Sequence, residues 1–136
     1  MFSYDFKKRV RYAETDKMGY LYYGNYAAYY EMGRVESIRA LGLNYKDLED
    51  HHKIMLPVLS LQCRFAKPAY YDDLLTIRSM LKEIPQKMIT FHHEIINEAG
   101  EIINKGEVKL FFVDMENNTR ISAPDFFIDK LNSYFE

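Results

Sequence analysis

Phe2, Tyr4, Phe6, Val10 and Tyr12 share one parity along the chain, while Asp5, Lys7, Arg9 and Arg11 take the other. Successive side chains of a strand point to opposite faces, so this period of two predicts a half-buried opening strand with the first set inward. A loop is expected from Ala13 to about Tyr22. From Gly24 to Leu41 the spacing turns helical, placing Tyr26, Tyr30, Gly33, Ser37 and Leu41 on one stripe. Gly42 reads as the cap of that helix. Asn44 and Asp47 can cap a second, short helix running to about His51.

From Ile54 the period returns to two. Leu59, Leu61, Cys63 and Phe65 are expected inward before Pro68 ends their strand, and Leu75, Ile77 and Leu81 mark the next. Ile89, Phe91, His93 and Ile95 mark a further strand, Asn97 to Gly100 reads as a hairpin turn, and Ile102, Val108, Leu110 and Phe112 form one face of the strand after it. Pro124 suits the first turn of a closing helix that carries Phe127, Leu131 and Tyr134. A strand, a long helix and then a meander of strands predict an α+β fold, one helix lying on one antiparallel five-stranded sheet. Small residues at Gly24, Ala27, Ala28 and Gly33 would let the sheet curl around the helix.

A chain of 136 residues suits a single domain spanning 1–136. With 18 basic against 20 acidic residues, no summed field steers it to nucleic acid or an anionic membrane, so an anionic ligand must be met by local groups. Cys63 is the one cysteine and is expected as a small core residue; an internal disulfide is impossible, and no apolar run reads as a signal or membrane span. Cytoplasmic residence is the default expectation. The 12 Tyr and 9 Phe, with no Trp, suit a broad core or an extended subunit contact.

The densest cluster of unusual features is the loop and helix start, RYAETDKMGYLYYGNYAAYYEMGR. Asp16 lies just upstream of a helix N-terminus, whose free amides and dipole favour negative charge. Two readings are open. Asp16 can cap its own turn, or, beside an oxyanion-binding helix end, it can serve acyl transfer. Other catalytic sets are thinner. There is no Gly-x-Ser-x-Gly, and His51-His52 and His92-His93 are neighbours whose spacing makes no metal site.

The run Arg11-Tyr12-Ala13-Glu14-Thr15-Asp16, with Gly19, Gly24-Asn25-Tyr26, Glu31 and Arg34, closely resembles the signature of the 4-hydroxybenzoyl-CoA thioesterase family, its Tol-Pal-associated branch included. The likeness continues through Leu56-Pro57-Val58, Phe65, Lys67-Pro68-Ala69, Tyr71-Asp72-Asp73, Asn97 to Gly100 and Phe111 to Asp114, nearly the whole chain. The resemblance implies a hotdog fold, a curved antiparallel sheet wrapped around a central helix. It also implies a homodimer with active sites at the subunit interface, often assembled further into a tetramer. It implies hydrolysis of an acyl-CoA thioester with no cofactor or metal, coenzyme A being part of the substrate. The family's catalytic aspartate falls on Asp16, and the residue whose amide binds the thioester oxygen falls on Tyr23. Asp16 would attack the carbonyl or activate a water.

Glu31 has two readings, an acyl-pocket residue as in some family members or a helix partner of Arg34. Leu56, Pro57, Val58 and Ser60 match a segment that borders the acyl group in the family, or are plain core-strand residues. An apolar Leu56 there would favour an aliphatic or unsubstituted aryl group. The phosphate-gripping basic cluster of the aromatic-substrate relatives is reduced here to Lys87 within Glu83 to Lys87. An acyl carrier protein is therefore an alternative thiol bearer, and a non-catalytic acyl-thiol-binding module with Phe126, Phe127 and Phe135 as an exposed docking surface is a third reading. No histidine lies between Ala13 and Asn25 to suggest a hotdog dehydratase.

Overall fold

The computed structural model describes residues 1–136. Its elements are β1 (Phe2–Arg9), α1 (Tyr26–Ala40), α2 (Tyr45–Asp50), β2 (Ile54–Met55), β3 (Val58–Phe65), β4 (Leu74–Leu81), β5 (Met88–Ile96), β6 (Ile102–Asp114), β7 (Thr119–Ile121) and α3 (Asp125–Leu131). The sheet is antiparallel throughout. β1 pairs with β4, β4 with β5, β5 with β6 and β6 with β3, while short β2 and β7 extend the far end of β6. The expected five strands are therefore present, supplemented by two short ones.

α1 lies across β1, β4 and β5. Its buried side is the expected stripe of Tyr26, Tyr30, Gly33 and Ser37, with Tyr29, Arg34 and Ile38 beside it. The helix ends where Gly42 caps it, its N–H donating to Arg39 O at 2.9 Å. Asn44 caps α2 by accepting the Asp47 N–H at 2.8 Å. Close approach of α1 to the sheet rests on space rather than on a run of small residues. A Cβ on Gly33 would lie 2.5 Å from Ser79 Oγ and 2.7 Å from Ile77 Cγ2, and a Cβ on Gly106 would collide with the Tyr30 ring. Gly24, Ala27 and Ala28 instead face solvent.

The core is built from the inward faces of β4, β5 and β6, as the period of two predicts: Leu75, Ile77, Leu81, Ile89, Phe91, Ile95, Val108, Leu110 and Phe112 are all buried. A polar seam runs through it. The Tyr30 hydroxyl donates to Asn104 Oδ1 and lies 3.2 Å from Cys63 Sγ, and the Tyr30 ring stacks on His93 at 4.7 Å. His93 Nδ1 meets Ser79 Oγ at 2.9 Å. Burial, with Arg34 nearby, pushes the His93 imidazole down to about 3. Cys63 is half-buried, so it borders the core without being enclosed by it.

Several expected inward positions lie elsewhere. β3 pairs only with β6, and Leu59, Leu61 and Phe65 are about half exposed because nothing in the chain covers that face. Tyr12 is 78% exposed, since β1 stops at Arg9 and Tyr12–Glu14 forms a 3-10 turn. The β5–β6 register shifts between Ile95 and Ile96, so Ile103 takes the buried place expected of Ile102. Phe127 is buried against Phe112 at 5.6 Å rather than exposed, Phe126 and Phe135 are half-buried, and Tyr134 lies beyond α3, exposed, with its ring edge on Phe2. No helix is long and apolar enough to cross a membrane.

Candidate active site

Asp16 opens a tight turn. Its N–H donates to Tyr20 O at 2.8 Å, and its own carbonyl accepts the Gly19 N–H at 3.0 Å. Gly19 supplies the left-handed conformation (φ 80°) that the turn needs and that a side chain would resist. Carboxylate oxygen Oδ1 accepts the Met18 N–H at 2.9 Å and the Tyr20 N–H at 3.1 Å. The capping reading is thus geometrically correct, and it does not consume the group. One oxygen is pinned, and Oδ2 receives no protein donor.

The chain then runs through Leu21, whose N–H donates to Ala69 O at 2.7 Å, and Tyr22, whose N–H donates to Glu14 O at 2.9 Å. A 3-10 turn, Tyr23–Asn25, leads directly into α1. The first amides of a helix have no partner within it, and no loop or turn hydrogen bond starts at the Tyr23 or Gly24 N–H. These donors are available to an acceptor from outside.

Asp16 and Tyr23 line one cleft of about 330 Å³, together with Met18, Tyr20, Leu21 and Tyr26 on one side and Phe65, Ala66, Lys67 and Pro68 on the other. The Tyr26 and Phe65 rings meet edge to face at 5.0 Å. Burial pushes the Tyr26 hydroxyl up to about 12, so it is neutral at physiological pH. Lys67 is paired with Glu101. The slot thus combines apolar, aromatic walls with an unpaired carboxylate oxygen and, at Tyr23, a residue whose amide is free. A larger groove of about 420 Å³, lined by polar groups including Arg64, Lys82, His92, Lys105 and Glu107, contains neither Asp16 nor Tyr23.

The other sequence candidates are not brought into this cleft by the single chain. Glu31 is exposed and makes no ion pair with Arg34, whose buried Nε donates to the Tyr45 hydroxyl at 3.1 Å instead. Leu56 is half-buried against the core, Pro57, Val58 and Ser60 are exposed at or before edge strand β3, and Lys87 is exposed in the β4–β5 connection. His92 and His93 point to opposite faces of β5, and no group of His, Cys, Asp and Glu side chains is placed to hold a metal ion. Sequence reasoning passed over Tyr20, Tyr26, Phe65 and Lys67 as cleft residues. Their aromatic and motif positions were visible, but their convergence joins segments some forty residues apart, which no local period reports.

A curled antiparallel sheet around one central helix, with this carboxylate ahead of the helix start, is a hotdog fold. The chain belongs to the thioesterase-like superfamily, whose family model matches residues 10–131. It is 31% identical over 125 residues to a putative acyl-CoA thioesterase, YneP, of Bacillus subtilis, covering 92% of this chain and 90% of the relative. It is 28% identical over 106 residues to the acyl-CoA thioester hydrolase YbgC of Escherichia coli, covering 78% of each. Among solved structures, a DHNA-CoA thioesterase from Staphylococcus aureus superposes with a TM-score of 0.88 at 30% identity, over 98% of this chain and 89% of that one. The family resemblance read from the motifs therefore holds over the whole fold.

Proposed function

We propose that the protein is an acyl-CoA thioesterase that hydrolyses a thioester to a free acid and coenzyme A. The observation that carries this reading is Asp16, with Oδ1 tied down and Oδ2 unpaired, sharing an aromatic cleft with the unbonded amides at Tyr23. The names of the relatives support the substrate class.

The thioester carbonyl oxygen would rest on the Tyr23 N–H, where negative charge develops as the carbonyl carbon becomes tetrahedral. One well-placed donor of this kind is worth about 3 kcal/mol. Asp16 Oδ2 acts on the carbonyl carbon in one of two ways. As nucleophile it forms a mixed anhydride while the C–S bond breaks and the thiolate departs; water then cleaves the anhydride and regenerates the carboxylate. As general base it removes a proton from water, the resulting hydroxide adds to the carbonyl, and the departing thiolate takes up the proton. Both routes need only the chain's own groups and water. After one turnover in ¹⁸O water, label in the Asp16 carboxylate identifies the nucleophilic route with the anhydride opened at the Asp16 carbonyl, and trapping of the anhydride by hydroxylamine identifies it where water attacks the acyl carbonyl instead.

The active unit in this reading is a homodimer formed along β3, whose Leu59, Leu61 and Phe65 are left uncovered by the chain itself, with a dimer of dimers beyond it. Glu31, Leu56, Pro57, Val58 and Ser60 would then border the acyl group from the shared interface, and Lys87 would meet the nucleotide phosphates. A protein with one cysteine and no disulfide fits the cytoplasm. Because Lys87 is the sole cation within Glu83 to Lys87, an acyl carrier protein is retained as a second thiol bearer. A thiol-release assay over short, long and aromatic acyl-CoAs tests the proposal. Turnover of at least one, abolished in Asp16→Ala, is expected; no turnover on any overturns it.

A further inference from the structure

The Asp16 turn and the helix start at Tyr23 are separate pieces of backbone, and one side chain ties them together. Glu14 Oε1 accepts the Arg11 N–H at 2.8 Å, the Tyr29 hydroxyl of α1 at 2.8 Å and the Lys8 ammonium of β1 at 3.2 Å. The main-chain carbonyl of the same residue accepts the Tyr22 N–H and the Asn25 Nδ2–H, both at 2.9 Å. Glu14 stands two residues before Asp16, and the groups its carbonyl holds flank Tyr23. We propose that Glu14 is a positioning residue: its carboxylate anchors the loop to β1 and α1 while its carbonyl clamps the helix start, fixing the Tyr23 amide relative to Asp16.

The physical case rests on how little freedom the arrangement leaves. A lone cap on Asp16 would fix that turn only, and a free helix start would fray. Here both ends of one residue are engaged by separate elements, and the carboxylate is largely enclosed, at 21% exposure. Burial alone would push the Glu14 carboxyl up. The Arg11 amide, the Tyr29 hydroxyl and the Lys8 ammonium together outweigh that and hold it below its ordinary value, so the anionic acceptor persists at neutral pH. Lys8 also lies 5.3 Å from the Tyr29 ring centre, closing the anchor on itself. Glu14 does not line the cleft, so its influence on the reaction runs through geometry.

This inference rests on the thioesterase reading, and the experiment separates the two. With the best acyl-CoA of the substrate panel, Glu14→Ala is expected to lower kcat about 10- to 100-fold, the cost of a displacement near 1 Å, with KM changed less than about 3-fold. Glu14→Gln preserves an acceptor oxygen for Arg11 and Tyr29 and is expected to recover kcat to within about 3-fold of the parent. Asn44→Ala, which removes the cap of α2, serves as a control that lowers Tm without changing kcat per folded molecule. If Glu14→Ala does not fold, Asn25→Ala and Tyr29→Phe each remove one tie and are expected to show the same kcat-selective loss. A parent-like kcat in these variants, or a loss that merely tracks the unfolded fraction, overturns the positioning role while leaving the thioesterase reading intact. A parent protein inactive on every acyl-CoA overturns both.

Discussion

At the scale of single residues, the proposed site asks for a side chain at Asp16 and for a backbone amide at Tyr23. Asp16→Asn keeps an acceptor for the Met18 and Tyr20 amides but removes the anionic oxygen, and is expected to lower kcat roughly 10²- to 10⁴-fold with thermal stability little changed. In the proposed mechanism Tyr23 acts through its N–H, and the residue is 67% exposed. It holds the first helical position, where proline is tolerated, and Tyr22 before it is already extended (φ −61°, ψ 131°) as a pre-proline residue must be. Tyr23→Pro is therefore expected to fold and to lose about 10²- to 10³-fold in kcat, whereas Tyr23→Ala retains most activity. Steady-state kinetics with circular dichroism on both variants checks the pair.

Buried His93 makes stability depend on pH. Its folded-state value, about 3, lies below that of an unfolded histidine because burial disfavours the charge. The unfolded chain therefore binds the proton first. The stability that His93 contributes is complete above about pH 6.5 and falls as pH drops toward 3, at up to about 1.4 kcal/mol per pH unit. Urea midpoints at pH 7 and pH 5 should differ accordingly, and His93→Gln should remove that part of the difference. None of this was legible in the sequence beyond parity, which put His92 and His93 on opposite faces; which of them would be buried, and among which polar groups, was not.

At the scale of elements, period and punctuation were enough where an element packs within its own neighbourhood. The stripe of α1, the Asn44 cap and the inward faces of β4 and β5 all lie where the pattern puts them. The failures fall where the pattern was extended past structure it does not report: a 3-10 turn at Tyr12, a bulge at Ile102, and an uncovered strand at Leu59, Leu61 and Phe65. The separation of helix and sheet depends on two glycines in different elements. Gly33→Ala and Gly106→Ala are each expected to destabilise the fold by about 1–3 kcal/mol through overpacking, the second against the rigid Tyr30 ring. Thermal denaturation measures this, with Ala27→Ser on the exposed face expected to be nearly neutral.

At the scale of the whole molecule, β3 is the unfinished edge. Leu61 is 46% exposed, and Leu61→Lys is expected to shift the proposed dimer toward monomer in sedimentation and to lower activity with it. The formal charge of −2 gives little long-range steering, so hydrolysis of acyl-CoA should depend only weakly on salt. An acidic carrier protein docking on local cations would instead show a steep dependence. Comparing both donors with one acyl chain distinguishes these sources of substrate.

The amino-acid sequence by itself determined the order of the elements, the buried stripe of the long helix and the turn chemistry that places Asp16 ahead of Tyr23, because these follow from period, capping and backbone freedom over a few residues. Only the tertiary structure decided that Phe65 to Pro68 close the cleft around Asp16, that Glu14 braces the loop against α1 and that β3 stays uncovered. Those outcomes depend on contacts between segments distant in the chain, and the energy of such contacts leaves no periodic trace in either segment alone.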